Sequence, residues 1–140
     1  MSRTRLSTVV FDAPDAHELA DFYMRLLGYV LRAEEPDWVL IGPPFEGTAL
    51  AFETEPLYTP PVWPAGPGDQ RMMLHLDIEV DDLAEETARA LAEGAKLADH
   101  QPQEDVRVFF DPAGHPFCLW VHTRDKHRRR QTRHARHTPQ

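Results

Sequence analysis

The sequence uses one construction twice, and that repeat limits the available folds more than any other feature. Asp15 stands three residues before Glu18, as in a capping box that starts a helix. Leu19, Phe22, Leu26 and Leu27 follow at helical spacing, and Gly28 supplies the stop. Later, Asp82 stands three residues before Glu85. Leu83, Ala84, Ala88 and Leu91 give a weaker apolar stripe, and Gly94 closes it. Asp82 follows Asp15 by 67 positions and Gly94 follows Gly28 by 66. Offsets this close point to one supersecondary unit repeated within the chain.

The segments around each helix repeat as well. Leu6–Phe11 and Met72–Val80 are predicted as the strands that enter the helices. Three short strands are expected after each helix. In the first module they are Tyr29–Ala33, Trp38–Ile41 and Thr48–Glu53; in the second, Ala95–Ala98, Val106–Phe110 and Phe117–Val121. Pro and Gly punctuate them, as at Gly42-Pro43-Pro44 and Asp111-Pro112-Ala113-Gly114. The expected architecture is α+β, two βαβββ modules at 6–54 and 72–121. The Pro- and Gly-rich stretch 55–71 lies between them as a linker or lid.

Strand alternation assigns the faces. Val9, Phe11, Leu50, Phe52, Leu74, Leu76, Ile78, Val80, Phe117 and Leu119 are expected to meet the helices. Thr8, Val10, Asp12, Ala49, Ala51, Glu53, His75, Asp77, Glu79, Cys118 and Trp120 are left for a solvated concavity. The 67-residue offset carries Thr8 to His75, Val10 to Asp77, Asp12 to Glu79, Ala51 to Cys118 and Glu53 to Trp120, so inward positions map onto inward positions.

With 140 residues the chain has room for one ordinary domain. Its single cysteine, Cys118, allows no internal disulfide. The apolar stretch at the N-terminus is too short for a signal peptide, and no stretch suits a membrane helix. A cytoplasmic protein without a membrane partner is expected. Net charge is −8, unevenly spread: residues 122–140 carry +6 and residues 1–121 carry −14. The basic tail has no apolar residue larger than Ala135 apart from Pro139 and is expected to be disordered. It is the one place where nucleic acid could bind, although no aromatic residues interleave with its arginines.

Three segments resemble signatures of the vicinal-oxygen-chelate superfamily of glyoxalases, bleomycin-resistance proteins and ring-cleaving dioxygenases. They are Asp15…Phe22-Tyr23…Leu27-Gly28, His75-Leu-Asp-Ile-Glu-Val-Asp-Asp82, and Phe110-Asp111-Pro112-Ala113-Gly114-His115. The likeness covers residues 6–121. It looks closest to the small glyoxalase-like domain group common in bacteria. The resemblance implies that the two mixed sheets form a cup. It also implies a small-molecule ligand and a site that in many members is completed by dimerisation. In metal-dependent members four strands each give one ligand, and by register those positions are Thr8, Ala51, His75 and Cys118. His75 has the usual identity, Cys118 can ligate as thiolate, and Glu53, Asp12 or Asp77 can substitute where the pattern has no ligand. The implied divalent-metal site is therefore degenerate.

Each candidate has a structural alternative. His75 can be a metal ligand, a general base near neutral pH, or a hydrogen-bonded histidine in the cup wall. Asp77 beside it can complete an acid/base pair or bind a cationic group. Cys118 can be simply a small buried hydrophobe. Trp38 and Trp120 can stack on a planar ligand, and Trp63 can pack back onto the body or act as a lid. His115, in the closing turn, is expected to face solvent. Two functions follow. The first is enzymatic: His75 with Asp77 or Glu53 transfers a proton on a small oxygenated molecule, with or without a metal, as lyase, isomerase or dioxygenase. The second is sequestration of a cationic aromatic compound by Asp12, Glu53, Asp77 and Trp120, with Thr8, Cys118 and Trp38 also lining the site.

Overall fold

The computed structural model describes residues 2–122; the tail beyond His122 lies outside the described residues. The order is β1 (Thr8–Ala13), α1 (Ala16–Leu27), β2 (Val30–Glu35), β3 (Trp38–Gly42), β4 (Ala49–Thr54), β5 (Leu76–Val80), α2 (Leu83–Ala92), β6 (Lys96–Leu97), β7 (Val106–Phe110) and β8 (Pro116–Val121). These are two βαβββ modules. The chain divides into two compact units between Thr59 and Pro60.

Each unit holds a four-stranded mixed sheet, ordered β1-β4-β3-β2 in the first and β5-β8-β7-β6 in the second. The first strand pairs parallel with the last, and the remaining pairs are antiparallel. The repeat holds in the register. Val10 pairs with Ala51 and Asp12 with Glu53; at the 67-residue offset Asp77 pairs with Cys118 and Glu79 with Trp120.

The helix boundaries follow the expected chemistry. Asp15 accepts the backbone N–H groups of His17 and Glu18 at 3.0 and 3.2 Å. Asp82 accepts that of Glu85 at 3.0 Å. Both satisfy donors that a helix start leaves unpaired. Gly28 ends α1 at φ +71°, a left-handed conformation that a side chain would strain.

In the first unit α1 packs on β3 and β4. Phe22 and Tyr23 are fully buried. The Phe11, Tyr23 and Phe52 rings meet at centroid distances of 5.2–5.8 Å. In the second unit α2 packs on β8 and β7, over the stacked Phe109 and Phe117 rings, 5.3 Å apart. No helix among the described residues is long and apolar enough to cross a membrane.

Two expectations about packing are corrected. The strand entering α2 starts at Leu76 rather than Met72, and Leu74 is 66% exposed instead of joining the core. The inward face of α2 is Leu83, Glu86, Thr87 and Ala90, with Ala90 fully buried, whereas Ala84, Ala88 and Leu91 face solvent. Alanine carries little apolar area, so its position does not fix a helix's phase. The phase of α2 is set by its packing on β8 and β7, which buries Ala90.

Candidate functional site

Cross-strand partners share a face of the sheet. In the second unit, Asp77 pairs with Cys118, which pairs with Val108; Glu79 pairs with Trp120, which pairs with Val106. These residues stand on the face away from α2. His75 lies just before β5, two positions from Asp77 and therefore on the same side.

There His75 Nε2 lies 3.1 Å from Asp77 Oδ1. The histidine side chain is 19% exposed and the aspartate 34%. Cys118 is 3% exposed. Its thiol is pushed up to about 12, first by burial, then by the charge of Asp77 and by its hydrogen bond to that carboxylate. At neutral pH Cys118 is therefore a neutral thiol rather than a nucleophile. One donor atom from each of His75, Asp77 and Cys118 can be chosen so that all three lie within 4.8 Å of one another.

A nitrogen, a carboxylate oxygen and a sulfur this close suit a divalent ion of borderline softness. All three belong to the second unit. The positions equivalent to two of the superfamily's ligands offer less: Ala51 has no donor atom, and the Thr8 hydroxyl bonds to that of Ser7 at 3.3 Å.

The linker reaches this face. Val62 and Gln70 close a loop through a backbone bond of 2.8 Å. Trp63, inside that loop, packs with Phe110 and Trp120 against the buried cluster of Ala98, Val106, Val108 and Cys118. Trp63 therefore packs back onto the second unit and covers apolar surface beside the thiol. Gln101 fixes the neighbouring loop by donating to the carbonyls of Ala98 and Val108 and accepting from Val108 N–H.

The first unit gathers a different group. Asp12 pairs with Glu53, and Glu53 with Trp38, so these three form a row across β1, β4 and β3. Both carboxylates are exposed and the indole is half-buried. Thr8 lies on the same face, two pairs along.

His115 is corrected. Its Nδ1 lies 3.1 Å from Asp111 Oδ2, and the Asp111 side chain is fully buried. Asp111 Oδ1 also accepts the N–H groups of Ala113 and His115 at 2.9 and 3.0 Å. This Asp-Pro-x-Gly-His turn thus has a buried carboxylate in contact with an imidazole at its base, a return of the chain that residue types alone do not display.

Known proteins agree with this architecture. A family model described as "Glyoxalase-like domain" matches residues 8–120. No curated protein matches the sequence. Among solved structures, a glyoxalase/bleomycin resistance protein/dioxygenase family enzyme from Burkholderia phytofirmans PsJN superposes with a TM-score of 0.66 at 17% identity. The alignment covers 84% of this chain and 98% of that one. TnmS3, an antibiotic binding protein from Streptomyces sp. CB03234, gives 0.55 at 22% identity over 88% and 99%. The fosfomycin resistance protein FosX from Mesorhizobium loti gives 0.63 at 14% identity over 92% and 100%.

Proposed function

Because the chain belongs to the glyoxalase-like family of the vicinal-oxygen-chelate superfamily, we propose that it acts on a small oxygenated molecule, with His75 and Asp77 as the proton-transfer pair. The observation that carries this reading is the 3.1 Å contact between His75 Nε2 and Asp77 Oδ1. A carboxylate on one ring nitrogen holds that nitrogen in its N–H form, which leaves Nδ1 as the basic atom. Asp77 orients the ring and balances the imidazolium that forms when Nδ1 takes a proton. Trp63 and Trp120 pack against the apolar cluster that includes Cys118, the neighbour of Asp77.

With a divalent ion bound, His75, Asp77 and Cys118 would instead be its ligands, and His75 Nδ1 would no longer be the proton acceptor. Such an ion would supply Lewis-acid polarisation of a substrate oxygen. Cobalt(II) titration of protein purified without chelator tests the reading. One equivalent should bind with a thiolate-to-cobalt charge-transfer absorption, and the band should vanish in Cys118→Ala and weaken strongly in His75→Ala. Featureless spectra and sub-stoichiometric metal in the wild type would remove the metal from the proposal.

A second reading has its own observation, the row Asp12, Glu53 and Trp38. Two exposed carboxylates beside an indole suit a cationic aromatic compound held without turnover. Binding of such a compound that weakens with salt and in Glu53→Gln, with no product formed, would favour sequestration.

A further inference from the structure

The first unit contains a cavity of about 560 Å³. Arg5, Arg32, Leu40, Phe45, Glu46 and Ala49 are among its lining residues. Its size is that of a small organic ligand site. None of His75, Asp77 and Cys118 contributes to it.

Arg32 is set into this wall by two local features. Leu31 pairs with Ile41 and Ala33 with Leu40, so Arg32 is the extra residue of a β-bulge. A bulge turns one side chain out of the regular alternation and is common beside functional sites. The guanidinium then lies over Gly42. A Cβ at position 42 would come within 3.2 Å of Arg32 Nε and 3.5 Å of Cζ, so only glycine leaves this space without a shift. From there Nη2 donates to the Pro43 carbonyl.

That bond uses one of the five guanidinium donors. Among the described residues no carboxylate pairs with Arg32. Arg5 pairs with Glu46 at 3.3 Å, but both side chains are well exposed, and such a pair is easily exchanged for another anion. Leu40, Ala49 and Phe45 add apolar wall, and Phe45 is 71% exposed. An aromatic ring left in water at the mouth of a cavity offers a surface for a flat, apolar ligand body.

We propose that this cavity binds small organic anions, with a carboxylate or phosphoryl group on Arg32 and Arg5 and an apolar body against Leu40 and Phe45. Guanidinium geometry matches either oxyanion. The proposal does not rest on the proton-transfer reading of His75.

The test is calorimetric titration of the full chain with benzoate, with phenyl phosphate, and with benzamide as the uncharged counterpart. Saturable binding of at least one anion is expected, weakened about tenfold or more in Arg32→Gln, as for loss of a charge-assisted contact, and partly recovered in Arg32→Lys. Arg5→Gln, a change outside the strands, should weaken it less, about threefold. His75→Ala should leave it unchanged. The proposal is overturned if neither anion saturates at millimolar concentration or if benzamide binds as tightly. It is also overturned if Arg32→Gln, folded by circular dichroism, retains wild-type affinity, or if the anion is lost in His75→Ala instead.

Discussion

At Cys118 burial and a neighbouring charge act in the same direction. The thiol is shielded from water and hydrogen-bonded to Asp77, and its ionisation moves from 9.0 to about 12. An ultraviolet titration of the thiolate should show no ionisation below about pH 11 in the folded protein. Asp77→Asn should bring the midpoint down, though not to 9.0, because burial is the larger cause. Linkage gives the sign for stability. The unfolded chain loses this proton near 9 while the folded chain keeps it, so the stabilisation is present below pH 9 and is lost as pH rises toward 12. Denaturation midpoints of Cys118→Ala should therefore decline less steeply over that window than those of the wild type. A metal ion must displace the same proton, so cobalt affinity should rise about tenfold per pH unit wherever His75 is already neutral. The inward register of Cys118 was legible from strand alternation alone. Its protonation was not, because Asp77 meets it only through a parallel pairing of segments 41 positions apart in the sequence.

The elements differ in how openly the sequence declares them. Caps are local, and both were legible: Asp15 and Asp82 act where the repeat placed them. Asp15→Ala should cost about 1 kcal/mol in urea denaturation, the usual value of such a cap. The turn after β7 is different. Asp111 was legible as part of an Asp-Pro-x-Gly motif, but not as a buried acceptor for two backbone N–H groups and a partner for His115. Asp111→Ala leaves those donors without their acceptor in a site closed to water, so it should cost about 1–3 kcal/mol, more than loss of the exposed cap at Asp82. Similar costs for Asp82→Ala and Asp111→Ala in the same denaturation series would contradict this. The apolar face of α2 was misread for a physical reason. Alanine occurs on both sides of the helix, and Glu86 reaches Arg89 at 2.7 Å from the inward side, so apolar spacing alone did not single out the packed face.

At the scale of the whole molecule the repeat was the most legible feature, since both sheets share strand order and register at one offset. The two copies have nonetheless diverged in chemistry. At equivalent points the first unit has Thr8, Val10 and Ala51, and the second has His75, Asp77 and Cys118. The sequence identified which positions to examine. It did not show that three donors converge on one unit, because that convergence depends on side-chain conformations at the start of β5. The superfamily pattern spreads its ligands over both modules, whereas the donor set here belongs to module two. The two arrangements make different predictions. If ligation rests on module two alone, Thr8→Ala and Glu53→Gln should leave cobalt affinity within about twofold of wild type, since neither removes a ligand. Asp77→Asn and Cys118→Ala should each reduce it at least tenfold, as expected when one of three donors is lost. A comparable loss in Glu53→Gln would return the site to a pattern shared between modules, with Glu53 in the place that Ala51 cannot fill.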